Sequence, residues 1–244
     1  MLAASILQTL SIESEPNMLM KLFDTIKSLA PFLFDGIKVT SSAAVISIIL
    51  GIIIGLIACI VKVSKIPVLS QLAGVYIWVI RGTPMIVQAL FVYFGAPQII
   101  RIFIDGFRMS PFVAGIITLS LNAGAYLAEI FRSGIQAVDV GQIEASRSLG
   151  ISSSKTMLKI ILPQAFKITI PSLVNQFIIT VKDTSILTVI GLREIVNKAG
   201  QYVSIRYNYF ETYIWVAIFY LAIISALMVL SKFVEKKMNY GRQG

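Results

Sequence analysis

Residues 34–61 form an apolar run long enough to cross a bilayer, whose hydrocarbon core takes about 20 helical residues. Inside that layer backbone N–H and C=O groups find no water, so such a run closes its hydrogen bonds within a helix or within a sealed barrel. A barrel requires short segments alternating in polarity, and this sequence has none. Four more stretches follow, at about 68–94, 112–132, 166–190 and 212–234. The expected fold class is an all-α membrane protein of about five transmembrane helices. The net charge of +9 does not mark a nucleic-acid binder, because the basic residues flank apolar helices instead of forming a patch, as membrane topology requires.

The chain has no histidine and one cysteine, Cys59, inside an apolar run. Histidine-based triads, zinc centres and disulfides are thereby excluded. No G-x-x-x-x-G-K-[ST] pattern occurs, so the chain cannot cradle ATP phosphates and carries no cofactor or metal of its own.

The ends divide from the middle. Residues 1–31 lack the basic start of a cleavable signal, and Glu13 and Glu15 interrupt them early. Within them Met18, Leu22, Ile26 and Leu29 recur at helical spacing, which reads either as an interfacial or external helix or as one packed on the other spans. A membrane-spanning body of residues 32–236 and a cytoplasmic tail of residues 237–244 complete the expected division. Gly51 and Gly55 in the first span have a spacing that permits close helix packing.

Between the third and fourth spans, residues 144–163 read EASRSLGISSSKTMLKIILP. A first helix, about 142–149, stops at Gly150, the residue that most cheaply turns left-handed after a helix end. Ser152 or Ser153 then caps a second helix, which Pro163 is expected to close. Each helix is half of what a bilayer demands. The stretch is a compact elbow projecting into water, or an amphipathic elbow lying on the membrane surface.

Two spans are interrupted. In the second, Arg81-Gly82-Thr83-Pro84 places a charge at costly depth and loosens the helix before Pro84 opens a new half-helix. Arg81 snorkelling to an interface, with Pro84 as a mere kink, is the alternative. In the fourth, Lys182-Asp183-Thr184-Ser185 breaks the run after Pro171, Asn175 and Gln176, with residues suited to capping or to ligand contact. The third span sets Asn122, Tyr126 and Glu129 on one face. Asn122 suits a bond to a neighbouring helix as well as a lining role, and Glu129 can sit beside Arg132.

The elbow resembles a motif of permease subunits of bacterial ABC importers: E-A-A, three residues, G, nine residues, then I-x-L-P. Here it is Glu144, Ala145, Ser146, Gly150, Ile160, Leu162 and Pro163, with Ser146 in place of the second alanine. Three further phrases, IRGTPMIVQALFVYFG, SLNAGAYLAEIFRSGIQAVDVGQIEAS and VNQFIITVKDTSILTVIG, are similar to those of the polar-amino-acid branch of these permeases. The resemblance covers about 35–236. It implies a type I ABC importer permease fold with a cytoplasmic coupling loop at about 138–165, in the bacterial cytoplasmic membrane. It further implies a cytoplasmic ATP-binding cassette ATPase that holds ATP and Mg and docks on the elbow, an external substrate-binding protein, and a second permease that is an identical copy or a paralogue. The cargo is an amino acid, expected to be basic or amide.

Five spans put the termini on opposite sides, and cations clustered at Lys62–Lys65 and in the C-terminal tail place the N-terminus outside and the C-terminus in the cytoplasm. An amino acid crossing among the spans needs partners for its carboxylate, ammonium and side chain. Half-helix ends supply them, so Gly82, Thr83 and Pro84 are expected at the carboxylate and Asp183 at a cation, with Gln88, Asn122, Tyr126 and Asn175 as polar lining. Two rivals stand. An ion-coupled secondary transporter has neither such an elbow nor need of an ATPase, and it would favour an internal repeat that is not evident here. An intramembrane enzyme without histidine needs a Ser–Lys or paired-aspartate scheme, and Asp139 and Asp183 lie in different settings.

Overall fold

The structure, a computed structural model, describes residues 18–64 and 66–239. Expectations for residues 1–17, for Lys65 and for the end of the tail including Arg242 lie outside these. The described chain is helical throughout: α1 (Met18–Lys62), α2 (Pro67–Gly82), α3 (Met85–Ile100), α4 (Pro111–Gln136), α5 (Val140–Ser148), α6 (Ser153–Ile190), α7 (Ile195–Arg206) and α8 (Tyr209–Asn239). Among the described residues four helices are long and apolar enough to cross a membrane, and α2 with α3 makes a fifth candidate if that bent pair is counted as one span.

The expected separation of an interfacial helix from the first span is not found. α1 runs unbroken through Pro31 for 45 residues, so the boundary expected at 31/32 falls inside a helix. Thr25, Leu29, Leu33, Gly36 and Thr40 continue one buried stripe across the proline, while Lys27 and Pro31, where the backbone bond is lost, face outward. That stripe packs on α7 and α8 through Ile195, Ala199, Tyr202 and Val216. At Gly36 the approach is backbone to backbone: a Cβ there would lie 2.6 Å from the Ile195 Cα.

The middle of α1 packs on α4. A Cβ on Gly55 would sit 2.7 Å from that of Leu127, so the glycine spacing noted in the sequence lets two helices meet closely. Small residues answer it on α4: Ala123, Gly124 and Ala128. α4 in turn packs on α6, and the Tyr76 hydroxyl on α2 donates to the Leu121 carbonyl on α4 at 2.7 Å. α4 is thus the central post, with one polar face turned toward α2 and α3.

Pro163 does not close a helix. α6 continues through it because residues 157–161 widen into a π turn, in which the Leu162 N–H donates to the Met157 carbonyl five residues back. A proline ring collides with the carbonyl four residues earlier, here Lys159, and the wider turn moves that carbonyl away. Pro97 in α3 is met in the same way, by a π turn at Phe91–Gly95 and a bond from the Ala96 N–H to the Phe91 carbonyl. Nor is the fourth span severed at 182–185. α6 stays helical, winding as α-helix to Asp183 and as 3-10 helix over Thr184–Ile190.

Candidate functional site

Between α2 and α3 the chain leaves the helical region for two residues. Thr83 is extended (φ −119°, ψ 146°), the conformation that a following proline imposes, and Pro84 is extended too (φ −62°, ψ 134°). The axis turns by 107°. A helix that stops here leaves its last carbonyls without partners, and one that starts leaves its first N–H groups bare. Gln88, one turn into α3, reaches back across the gap. Its Nε2 lies 2.7 Å from the Ile80 carbonyl, 3.1 Å from the Thr83 carbonyl and 2.8 Å from the Thr83 hydroxyl. The Thr83 hydroxyl donates to the Val79 carbonyl at 2.8 Å. On the far side Gln88 Oε1 accepts from Asn122 Nδ2 of α4 at 3.3 Å.

One turn further along α4, Tyr126 presents its ring to the Arg81 guanidinium, 5.1 Å from the centroid. A cation held over an aromatic face is attracted to it without needing an acidic partner. Thr83, Gln88 and Asn122 are therefore one hydrogen-bonded group, the Arg81–Tyr126 pair stands beside it on the same helices α2 and α4, and Gly82 and Pro84 shape the bend. A cavity of about 360 Å³ opens beside the bend, lined by Val79, Ile80, Thr83, Val87 and Gln88 among others. Arg81 was absent from the lining expected from sequence, although its depth in the span was the signal. Glu129, on the same face of α4, is taken up by Arg132 in an ion pair of 2.6 Å.

Asn175 and Asp183 lie on α6, outside this hydrogen-bonded group. Asn175 is exposed and Asp183 half-buried. What links the two regions is apolar: Leu187 and Ile190 of the 3-10 turn pack with Ala89, Met85 and Leu90 of α3. Asp183 caps nothing with its side chain. The neighbouring hydroxyls bond backward instead, Thr184 to the Val181 carbonyl at 2.8 Å and Ser185 to the Lys182 carbonyl at 2.7 Å.

The elbow is closed by backbone geometry. α5 begins at Asp139, whose carboxylate accepts from the Gly141 N–H. It ends in a left-handed Gly150 (φ +73°), with bonds from the Gly150 N–H to the Arg147 carbonyl and from the Ile151 N–H to the Ser146 carbonyl. This pair of bonds satisfies the orphan carbonyls of a helix end. Ser152 stands at the start of α6 without a side-chain cap bond, and Ser153 accepts from Arg147. Ser146, the departure from the motif, is buried and bonds the Gln142 carbonyl; a small side chain suffices there. Glu144, Ala145, Gly150, Leu162 and Pro163 are exposed, and Ile160 is half-buried. Leu149 is 79% exposed and Leu158 64%.

Comparison with known proteins covers most of this architecture. A family described as "Binding-protein-dependent transport system inner membrane component" matches residues 25–240. The arginine transport system permease protein ArtQ of Bacillus subtilis (strain 168) is 39% identical over 209 residues, 86% of this chain and 93% of ArtQ. The crystal structure of an amino acid ABC transporter with histidines superposes at a TM-score of 0.83 with 37% identity, covering 88% of this chain and 98% of that one. The inward-facing MetNI methionine ABC transporter shares the fold at a TM-score of 0.71 and 18% identity, covering 92% of this chain and 99% of that one.

Proposed function

This chain belongs to the family of binding-protein-dependent transport system inner membrane components and is an amino-acid ABC transport permease, and we propose that it carries an amino acid with a basic or amide side chain past the Arg81–Pro84 bend, driven by an ATPase docked on the α5–α6 elbow. The observation that carries the path is the 107° bend with its cavity. Val87 and Gln88 donate to the Pro84 carbonyl, which leaves the Met85 and Ile86 N–H groups at the start of α3 to meet a carboxylate, and Asp183 on the packed neighbour is the matching anion for an ammonium or cationic side chain. Arginine in the name of one relative and histidines in that of a structural neighbour agree with a basic cargo.

The ATPase holds ATP and Mg, and this chain supplies no phosphate-binding loop. A second permease, identical or paralogous, completes the translocation unit, and an external binding protein delivers the cargo. The N-terminus lies outside and the C-terminus in the cytoplasm, which puts the elbow on the ATPase side. Gly150→Val tests the dock. A β-branched residue resists positive φ, so α5 loses its closing bonds while the spans still insert. ATP-driven uptake and copurification with the ATPase are expected to fall at least about tenfold, the effect of roughly 1.4 kcal/mol of strain at the docking surface. Normal uptake by the inserted variant removes the elbow from the coupling path.

A further inference from the structure

One carboxylate is wholly buried and takes no part in the path above. Glu194 lies between the 3-10 turn and α7, with 0% of its surface exposed. It accepts from the Val196 N–H at 2.9 Å, the Asn197 N–H at 2.7 Å and the Tyr220 hydroxyl of α8 at 3.1 Å. These are neutral donors, and a buried carboxylate held by neutral donors is costly. Capping α7 alone does not require it, since Ser, Thr or Asp caps with less side chain. The extra length of glutamate is what reaches Tyr220. The Thr184 and Thr40 hydroxyls stand near the Tyr220 hydroxyl, and Thr40 accepts from the Ile195 N–H at 3.4 Å. A single hub therefore gathers α1, α7 and α8 beside Thr184, the first residue of the 3-10 turn. Asn197 adds a second tie, donating to the Thr188 hydroxyl at 3.2 Å.

We infer that Glu194 and Tyr220 are positioning residues of the transport step: through Thr184 they hold the 3-10 turn that packs on the bent α3, and a change in the proton on Glu194 resets that hold. The inference rests on transport by this chain and stands whether or not Asp183 touches cargo. Burial pushes the Glu194 carboxyl up to about 7, with the bonds from Val196, Asn197 and Tyr220 pulling the other way. It exchanges its proton near neutral pH. Ionised, it accepts the Tyr220 proton. Protonated, it can donate to the Tyr220 oxygen, which frees the Tyr220 proton to turn to the Thr184 or Thr40 oxygen; Thr184 gives its own proton to the Val181 carbonyl, so Tyr220 donates to the turn only in this form. The surrounding elements carry further ionisable groups, among them Asp35 and Lys38 of α1, Lys182 and Asp183 of α6, Arg193 next to Glu194, Lys198 and Tyr202 of α7 and Glu211 of α8. Asp35 is engaged by Lys38 at 3.1 Å and Lys198 at 4.0 Å.

The test uses the full transporter in proteoliposomes with its ATPase and binding protein, a labelled mixture of the common amino acids, and equal pH on both faces. Wild-type maximal uptake is expected to inflect near neutral pH. Tyr220→Phe removes one hydroxyl and should lower the maximal rate about tenfold with half-saturation unchanged, as for loss of a bond to a charged group. Glu194→Gln should do the same and abolish the inflection. If both variants keep the wild-type rate and inflection, the inference is overturned. Should Glu194→Gln fail to assemble, Tyr220→Phe decides: a wild-type rate overturns the inference and a lowered one supports it. Asp183→Asn, run alongside, should change half-saturation and keep the inflection. If it is silent while the other two act, the cargo role of Asp183 fails and the hub stands.

Discussion

The two irregularities of the helices, at 81–84 and at 183–190, lie to either side of an apolar contact and are made by opposite means. At Thr83-Pro84 the backbone goes extended and the axis swings by 107°. At Asp183-Thr184 it remains right-handed helical (φ −65° and −55°, ψ −21° and −30°) and only tightens its winding. Proline explains the first, because it removes a donor and pushes its predecessor out of the helical region. Hydroxyls explain the second: Thr184 and Ser185 bond carbonyls three residues back, which the tighter turn accommodates. A broken helix leaves peptide groups that another side chain must satisfy, and Gln88 does so. A tightened helix satisfies its own and needs an external tie only to fix its position. The first irregularity is thus bridged from within the α2–α3 pair by Gln88, with Asn122 of α4 behind it, and the second is held from α7 and α8.

That contrast can be broken at Gln88. Gln88→Ala removes the bridge over the bend and leaves the Ile80 carbonyl and Asn122 amide without this partner. A loss of about 2 kcal/mol in stability is expected after allowing for water at the exposed side, read as a lower unfolding temperature of the detergent-solubilised protein, together with loss of uptake. An unchanged melting curve would falsify the bridging role. Asp183→Asn keeps side-chain size at the tightened site and removes the charge. Amino-acid affinity should fall by about 1.5–2 kcal/mol, seen as a raised half-saturation with an unaltered melting curve; a shifted melt with unaltered affinity would make Asp183 structural.

A smaller effect separates the two regions by pH. The Glu194 carboxyl stands at about 7 in the fold, above the value near 4.3 of a free glutamate. The folded state therefore binds more protons in that interval. This contribution to stability is fully present below the lower value and is lost as pH rises through the upper one. Melting temperature should climb on acidification across this window, less so in Glu194→Gln. A wild-type slope in that variant would assign the titration elsewhere. Smallest of all is Ser185→Ala. A serine bonded to a carbonyl three residues back stabilises little, so a change within about 0.5 kcal/mol is expected; a larger loss would mean that the hydroxyl, and not the tie to α7, sets the winding.

Much of this was legible in the residues. Gly150 could be read as left-handed because a helix end followed by glycine has few other solutions, and it is. The Arg81–Pro84 bend could be read because proline acts locally. Asn122 and Tyr126, spaced four apart, were bound to share a face, and the structure meets them with Gln88 and Arg81. What could not be read depends on distant partners. Pro31 seemed to divide α1, yet the stripe from Leu29 to Gly36 is buried by α7, over 150 residues away. Pro163 seemed to end a helix, because a π turn upstream has no distinctive composition. Glu194 sat in a stretch of mixed charge, and only the approach of α8 makes it a buried carboxylate.

The unbroken course of α6 bears on how force travels. Its 38 residues run from the elbow to the 3-10 turn without a hinge of the kind seen at Pro84. At about 1.5 Å per residue, Asp183 lies roughly 32 Å along the axis from Leu162. A rod of that reach multiplies what happens at its foot: tilting it by about 5° sweeps Asp183 through nearly 3 Å, about the length of a hydrogen bond. A modest rocking of the elbow is then sufficient to make or break a contact at the far end.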